Sequence, residues 1–163
     1  MVARHQSDPE VLLHYSEDPA IEAFRPHVPA TNPDRPPMVW TVDEVHAPLF
    51  WFPRECPRIT FWLEDGRWRV HAIEAAWLDR VRDCRLYEYR FDPGAFAPWP
   101  EADGYWTATA TVAPLSVEPA GDLLARHEAA GIELRVLDEL RTLRDEIIAS
   151  GHRFSMARMA NAR

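Results

Sequence analysis

The sequence predicts an α+β fold: a twisted, largely antiparallel or mixed sheet partly covered by short helices, in a single domain over residues 11–163 behind a flexible N-terminus, 1–10. Three observations carry this. Short β-rich runs alternate irregularly with helical stretches, with no repeated βαβ unit and no Gly-rich loop from strand to helix, which argues against a Rossmann domain. The run "RITFWLEDGRWRVHAIE" reads as a hairpin with Asp65-Gly66 at its tip. Finally, 7 Trp, 7 Phe and 4 Tyr favour a packed, aromatic-rich core over a flexible module.

Near the N-terminus, "VLLHY" (11–15) is a first strand. Ser16 is placed to cap a helical turn over "DPAIEAF", with Pro19 as its first residue. Residues 25–37 hold five of the 15 prolines and must be a loop, because proline neither continues a helix nor donates to a central strand. "MVWTV" (38–42) is a strand, and Asp43 is the N-cap of a short helix over "EVHA". After the hairpin, residues 75–84 place Trp77, Leu78 and Val81 on one helical face. "RLYEYRF" (85–91) alternates as a strand, and 105–117 is a β-rich run broken at Pro114. "AGDLLARHEAAG" is a helix closed by Gly131. "IELRVL" is a strand. "DELRTLRDEIIAS" is a helix with Asp138 as cap and Gly151 as its stop. The tail, "HRFSMARMANAR", is expected to add one more helical turn, with Ser155, Arg158 and Asn161 on one face.

Charge narrows the function. The net charge is −8 with no basic run, and an acidic chain repels phosphate backbones, so nucleic-acid binding is not expected. All 18 basic residues are arginine. Schiff-base lysine chemistry and a P-loop lysine are therefore excluded, and an anion site must use guanidinium forks or backbone N–H groups. Cys56 and Cys84 form no spacing motif. With no export signal and no apolar run of membrane length, a cytoplasmic protein is expected, with no membrane partner. The seven histidines show no HxH or HxxxH pair, so no metal site is expected, and no motif identifies a cofactor.

Chemistry-bearing residues concentrate in "VDEVHAPLFWFPRECPR" (42–58). His46 follows Asp43 by three residues. It is either a general base oriented by a carboxylate or a buried histidine satisfying a backbone group. Cys56 lies between Arg54 and Arg58 and reads as a small buried hydrophobe, or as an activated thiol. In an extended chain Arg54 and Arg58 share a face, which suits a phosphate or carboxylate; ion pairing within the protein is the alternative. His14 stands at a strand end beside Ser16, where sites are commonly built. Arg135 lies on one strand face with Glu133, as an ion pair or an anion ligand. Arg158 belongs to the polar stripe of the tail.

The segments "LHYSEDPAIEAFRPHVP", "PPMVWTVDEVHAPLFWFPRECPRITFW", "GIELRVLDEL" and "FSMARMANA" resemble an uncharacterised bacterial family of small single-domain proteins. The resemblance runs from Leu12 through most of the chain and implies no activity. A second likeness, at the level of fold, is to ADP-ribosyltransferase-like proteins, through a first strand that opens with His-Tyr-Ser. It implies that His14 contacts a nicotinamide dinucleotide and that Glu118 or Glu133 is the late acid. No residue matches the central tyrosine of those proteins, and neither glutamate sits in a diagnostic motif.

The residues support two readings of function. In the first, His14 and His46 are catalytic and Ser16, Trp40, Arg54, Arg58, Arg135 and Arg158 bind a small anionic or nucleotide ligand. Trp40 and Trp51 would stack on it, and the chemistry would be transfer or hydrolysis. In the second, the chain is a non-enzymatic binding or regulatory domain, with a homodimer formed through an exposed strand.

Overall fold

The computed structural model describes residues 8–30 and 32–163. Ten strands and three α-helices are formed among them, and the α+β class holds. The residues fall into two compact units, 8–48 with 87–118 and 49–86 with 119–163. The chain passes between them three times, so neither unit is one continuous segment.

The first unit is built on β1 (Leu12–Ser16), β2 (Val39–Val42), β5 (Tyr87–Phe91), β6 (Ala97–Pro98), β7 (Tyr105–Ala108) and β8 (Ser116–Pro119). The strand order is β6-β7-β2-β1-β5-β8. The β1–β2, β1–β5, β2–β7 and β6–β7 pairs are antiparallel. Leu12, Val39, Tyr89, Phe91, Phe96 and Ala108 form its core, covered by Ile21, Phe24 and Val112.

The helical turn expected over 18–24 does not form. Ser16 Oγ accepts from Asp18 N–H and Asp18 Oδ1 from Ala20 N–H, which closes tight turns. The hydroxyl of Tyr89, wholly buried, then donates to the Asp18 carbonyl and accepts from Ile21 N–H. These bonds take the backbone groups a helix would need. Phe24 instead bridges to Val112 and packs edge-on against Tyr89 and Phe91. Tertiary packing overrides a weak local propensity here.

The second unit has a four-stranded sheet from β3 (Arg58–Leu63), β4 (Trp68–Glu74), β9 (Glu133–Leu137) and β10 (Phe154–Ala157), in the order β10-β3-β4-β9. The expected hairpin is β3–β4, with Asp65 and Gly66 at positive φ in its tip. β4 and β9 are parallel. Its helices are α1 (Leu78–Asp83), α2 (Leu123–Ala129) and α3 (Arg141–Ser150). Ile59, Phe61, Val70 and Ala72 alternate onto one sheet face and pack against Leu140 and Ile147 at α3.

Three local expectations need correction in this unit. The tail forms strand β10 and a short 3-10 turn over Met159–Asn161. Ser155 pairs with Thr60 on β3, which offers ladder bonds that an isolated helical turn would lack. Asp138 does not cap α3; the Glu139 carboxylate accepts from Thr142 N–H, and buried Glu74 accepts from Leu140 N–H. Of the face expected on residues 75–84, Val81 alone is fully buried.

Candidate functional site

β2 ends at Val42 because Asp43 turns the chain. Asp43 N–H donates to Gly104 O at 2.9 Å, continuing the β2–β7 pairing by one bond. Its Oδ1 then accepts twice from one residue: from His46 N–H at 2.8 Å and from His46 Nδ1 at 2.7 Å. Asp43 thus caps the turn it opens and also holds the His46 ring through Nδ1. Beyond it the chain forms a turn and a 3-10 helix over Ala47–Phe50 rather than a helix on "EVHA".

The ring of His46 is held from the other side by a glycine. Gly104 has φ +82°, and a Cβ built there would stand 2.1 Å from His46 Nδ1. No side chain fits at that distance, so both the backbone and the close approach require glycine. His46 is 7% exposed. With its Nδ1–H directed at a carboxylate, Nε2 is the basic nitrogen of the neutral ring. Burial opposes ionisation of Asp43, but the bonds from the His46 ring and backbone outweigh it, and the carboxyl is held below its ordinary value.

A half-open cleft of about 350 Å³ lies over this dyad. Asp8, Glu10, Asp43 and Glu44 supply its polar wall with His46, and Val45 and Trp106 its apolar one. Val45 is 67% exposed. Four carboxylates around one cleft give it a negative potential that draws cations.

Of the catalytic and ligand-binding candidates, His46 lines the cleft, together with its neighbour Asp43. His14 donates from Nδ1 to the Trp40 carbonyl at 3.0 Å and meets Phe24 edge-on. Ser16 Oγ closes the turn at Asp18. Trp40 packs against Trp99, with the Arg35 guanidinium over both rings.

The four arginine candidates lie in the second unit. The "RECPR" stretch is not extended: Arg54 and Glu55 form a turn closed by Cys56 N–H on Pro53 O, so the alternation that would align Arg54 with Arg58 is lost. Arg54 is exposed. Arg58 is 7% exposed, donates to Leu49 O and Cys56 O, and lies over Phe52. Cys56 is fully buried, and burial pushes its thiol up to about 12, which makes it a packed thiol and not a thiolate. Arg135 makes a two-bond fork onto Glu133, which also accepts from Trp68 Nε1. Arg158 adopts φ 54° at the start of the last 3-10 turn.

Asp8, Glu10, Trp106 and Gly104 were not singled out by sequence. Each is distant from residue 46 along the chain, and only the strand register brings them to it. Among the described residues no group of three or more His, Cys, Asp or Glu side chains is arranged to hold a metal, and no helix is long and apolar enough to cross a membrane. No curated protein and no solved structure matches the chain. The family model described as a family of unknown function (DUF6886) matches residues 13–162, and the chain belongs to that family.

Proposed function

We propose that this DUF6886 protein binds a small, positively charged molecule in the acidic cleft of its first unit, and that His46, oriented by Asp43, acts there as a general base. The observation that carries the reading is the Asp43–His46 dyad at the wall of a cleft whose other polar side chains are acids. A carboxylate on Nδ1 fixes the tautomer and stabilises the imidazolium formed when Nε2 takes a proton. The chemistry this suits is hydrolysis or group transfer, with water or a ligand hydroxyl as the proton source.

The charge is the reverse of what the arginines suggested. A nucleotide reading has less support, because Arg58 is engaged by backbone carbonyls and Arg135 by Glu133. The two thiols, neither in a disulfide, support a reducing compartment such as the cytoplasm.

The test is a thermal-shift screen of the native protein against aliphatic diamines, polyamines, nucleotides and inorganic phosphate at constant ionic strength. Amines are expected to raise the midpoint, and Glu10→Gln with Glu44→Gln to abolish that rise. Stabilisation by nucleotides or phosphate and not by amines would overturn the proposal. A bound amine ester or amide should be turned over by the native protein and not by His46→Gln; binding without any turnover would remove the catalytic half.

A further inference from the structure

The second unit holds a pair of histidines that the cleft does not use. His71 on β4 is 0% exposed and His127 on α2 is 1% exposed. His71 Nδ1 lies 2.9 Å from His127 Nε2, and His127 Nδ1 lies 2.7 Å from Leu123 O. These distances settle both tautomers. A carbonyl only accepts, so His127 carries its proton on Nδ1. Its Nε2 is then the acceptor, and His71 must donate from Nδ1. The bare lone pair left over is on His71 Nε2, which is buried and has no hydrogen-bond partner.

The surroundings refuse a further proton. Phe52 packs against both rings at 5.4 and 5.1 Å between centroids, and Trp51 meets His127 at 5.6 Å. The neighbours of His71 across the sheet are Thr60 on β3 and Leu134 on β9, neither of which titrates. The charged groups that act on the pair are Arg58 from β3, Arg69 from β4 itself and Arg126 from α2. All three are cations. Burial first, then the His127 ring, then Arg69 and Arg58 bring His71 down to about 2; His127 is lowered too, by burial above all and by Arg126, although its bond to Leu123 O works the other way.

We propose that the His71–His127 pair is an acid-operated latch that releases α2 from the sheet of the second unit. A proton arriving at His71 Nε2 would create a buried N–H with no acceptor, within the field of the Arg69 and Arg58 guanidinium groups. The second would have to go on His127 Nε2 and break the bond between the rings. Lifting α2 places both imidazoles in water, where each takes its proton. α2 is the element that moves, because it is seven residues long and buries only Leu123 and His127. β4 is an interior strand bonded on both sides, by β3 and by β9. An opening that takes up two protons grows by up to about 100-fold per pH unit once the pH is below about 6.5.

The experiment is amide hydrogen exchange on the full native chain between pH 7.5 and 5, corrected for intrinsic exchange. The amides of Arg126 and Ala130 report on α2, and that of Arg144 on α3. Below pH 6.5 the opening constant at the α2 amides is expected to rise tenfold or more per pH unit, approaching 100-fold, while Arg144 stays protected. A rise under about threefold, or simultaneous loss of protection in α2 and α3, overturns the latch. The double variant His71→Phe, His127→Leu is expected to lose the pH dependence. Should that variant not fold, imidazole nitrogen shifts of the native protein at pH 7 provide a second criterion. Both rings are expected as Nδ1–H tautomers, and an Nε2–H tautomer at His71 overturns the proposal.

Discussion

His46 in the first unit and His127 in the second are both largely buried, and each has its Nδ1 held by an oxygen within 2.7 Å. The oxygens differ. Asp43 offers His46 a carboxylate at 2.7 Å from Nδ1. Leu123 offers His127 a neutral carbonyl, its other nitrogen faces a second imidazole, and the charge acting on it is the Arg126 cation. Burial alone therefore does not decide what a histidine does. The partner differs too: a carboxylate on the His46 ring, and for His127 a carbonyl, with burial first and Arg126 opposing its charged form.

The comparison is broken most severely at Gly104. Gly104→Ala puts a Cβ 2.1 Å from the His46 ring and forces alanine to φ +82°. Overpacking and backbone strain together should cost about 3 kcal/mol in urea unfolding and abolish ligand binding in the cleft. Gly131→Ala is the control. It has φ +68° but nothing within 4 Å of the added Cβ, so it should cost only the strain, about 1 kcal/mol. Equal losses at the two sites would show that the ring contact at Gly104 is unimportant.

Acid sharpens the comparison. His71 is lowered to about 2 from an ordinary 6.5, so at pH 7 neither folded nor unfolded chain holds its proton. As pH falls below 6.5 the unfolded chain binds that proton and the folded chain does not, so stability falls with pH. From pH 7 to 5 the loss is about 2 kcal/mol for His71, with His127 adding in the same direction. Urea midpoints across this range check it, and a flat profile would show that the folded pair accepts protons.

The smallest effect separates the dyad from the pair. Asp43→Asn keeps an oxygen for His46 N–H but loses the charge on the ring bond, at a cost of about 1 kcal/mol. Because the Asp43 carboxyl is held below its ordinary 3.8, its contribution is present above that value and is lost only as pH falls through the lowered one. The difference between native protein and Asp43→Asn should thus persist at pH 5, where the histidine pair is already destabilised. A difference that disappears between pH 7 and 5 would assign the acid sensitivity to the dyad.

Much of the scaffold was legible because it is local. Alternation in "RLYEYRF" marked a strand, Asp65-Gly66 marked the hairpin tip, and the three-residue spacing of Asp43 and His46 permitted the dyad. The misreadings came where a distant residue overrode a local preference. Tyr89 took the backbone of 18–21 from a helix, β3 drew the tail into a strand, and the turn at Arg54 undid an argument that assumed extended chain.

From the sequence alone came the α+β class, the order of most elements and the absence of lysine chemistry, with Asp43 and His46 at a spacing that permits a carboxylate–histidine pair. These rest on periods of two or three to four residues and on bonds between near neighbours. Tertiary structure alone decided that Asp8, Glu10 and Trp106 join His46, that Gly104 lies under its ring, and that His71 meets His127 across 56 positions of sequence. Such contacts depend on strand register and burial. A shift of one residue in register turns every side chain to the opposite face, and nothing in a residue's immediate neighbours records which face was chosen.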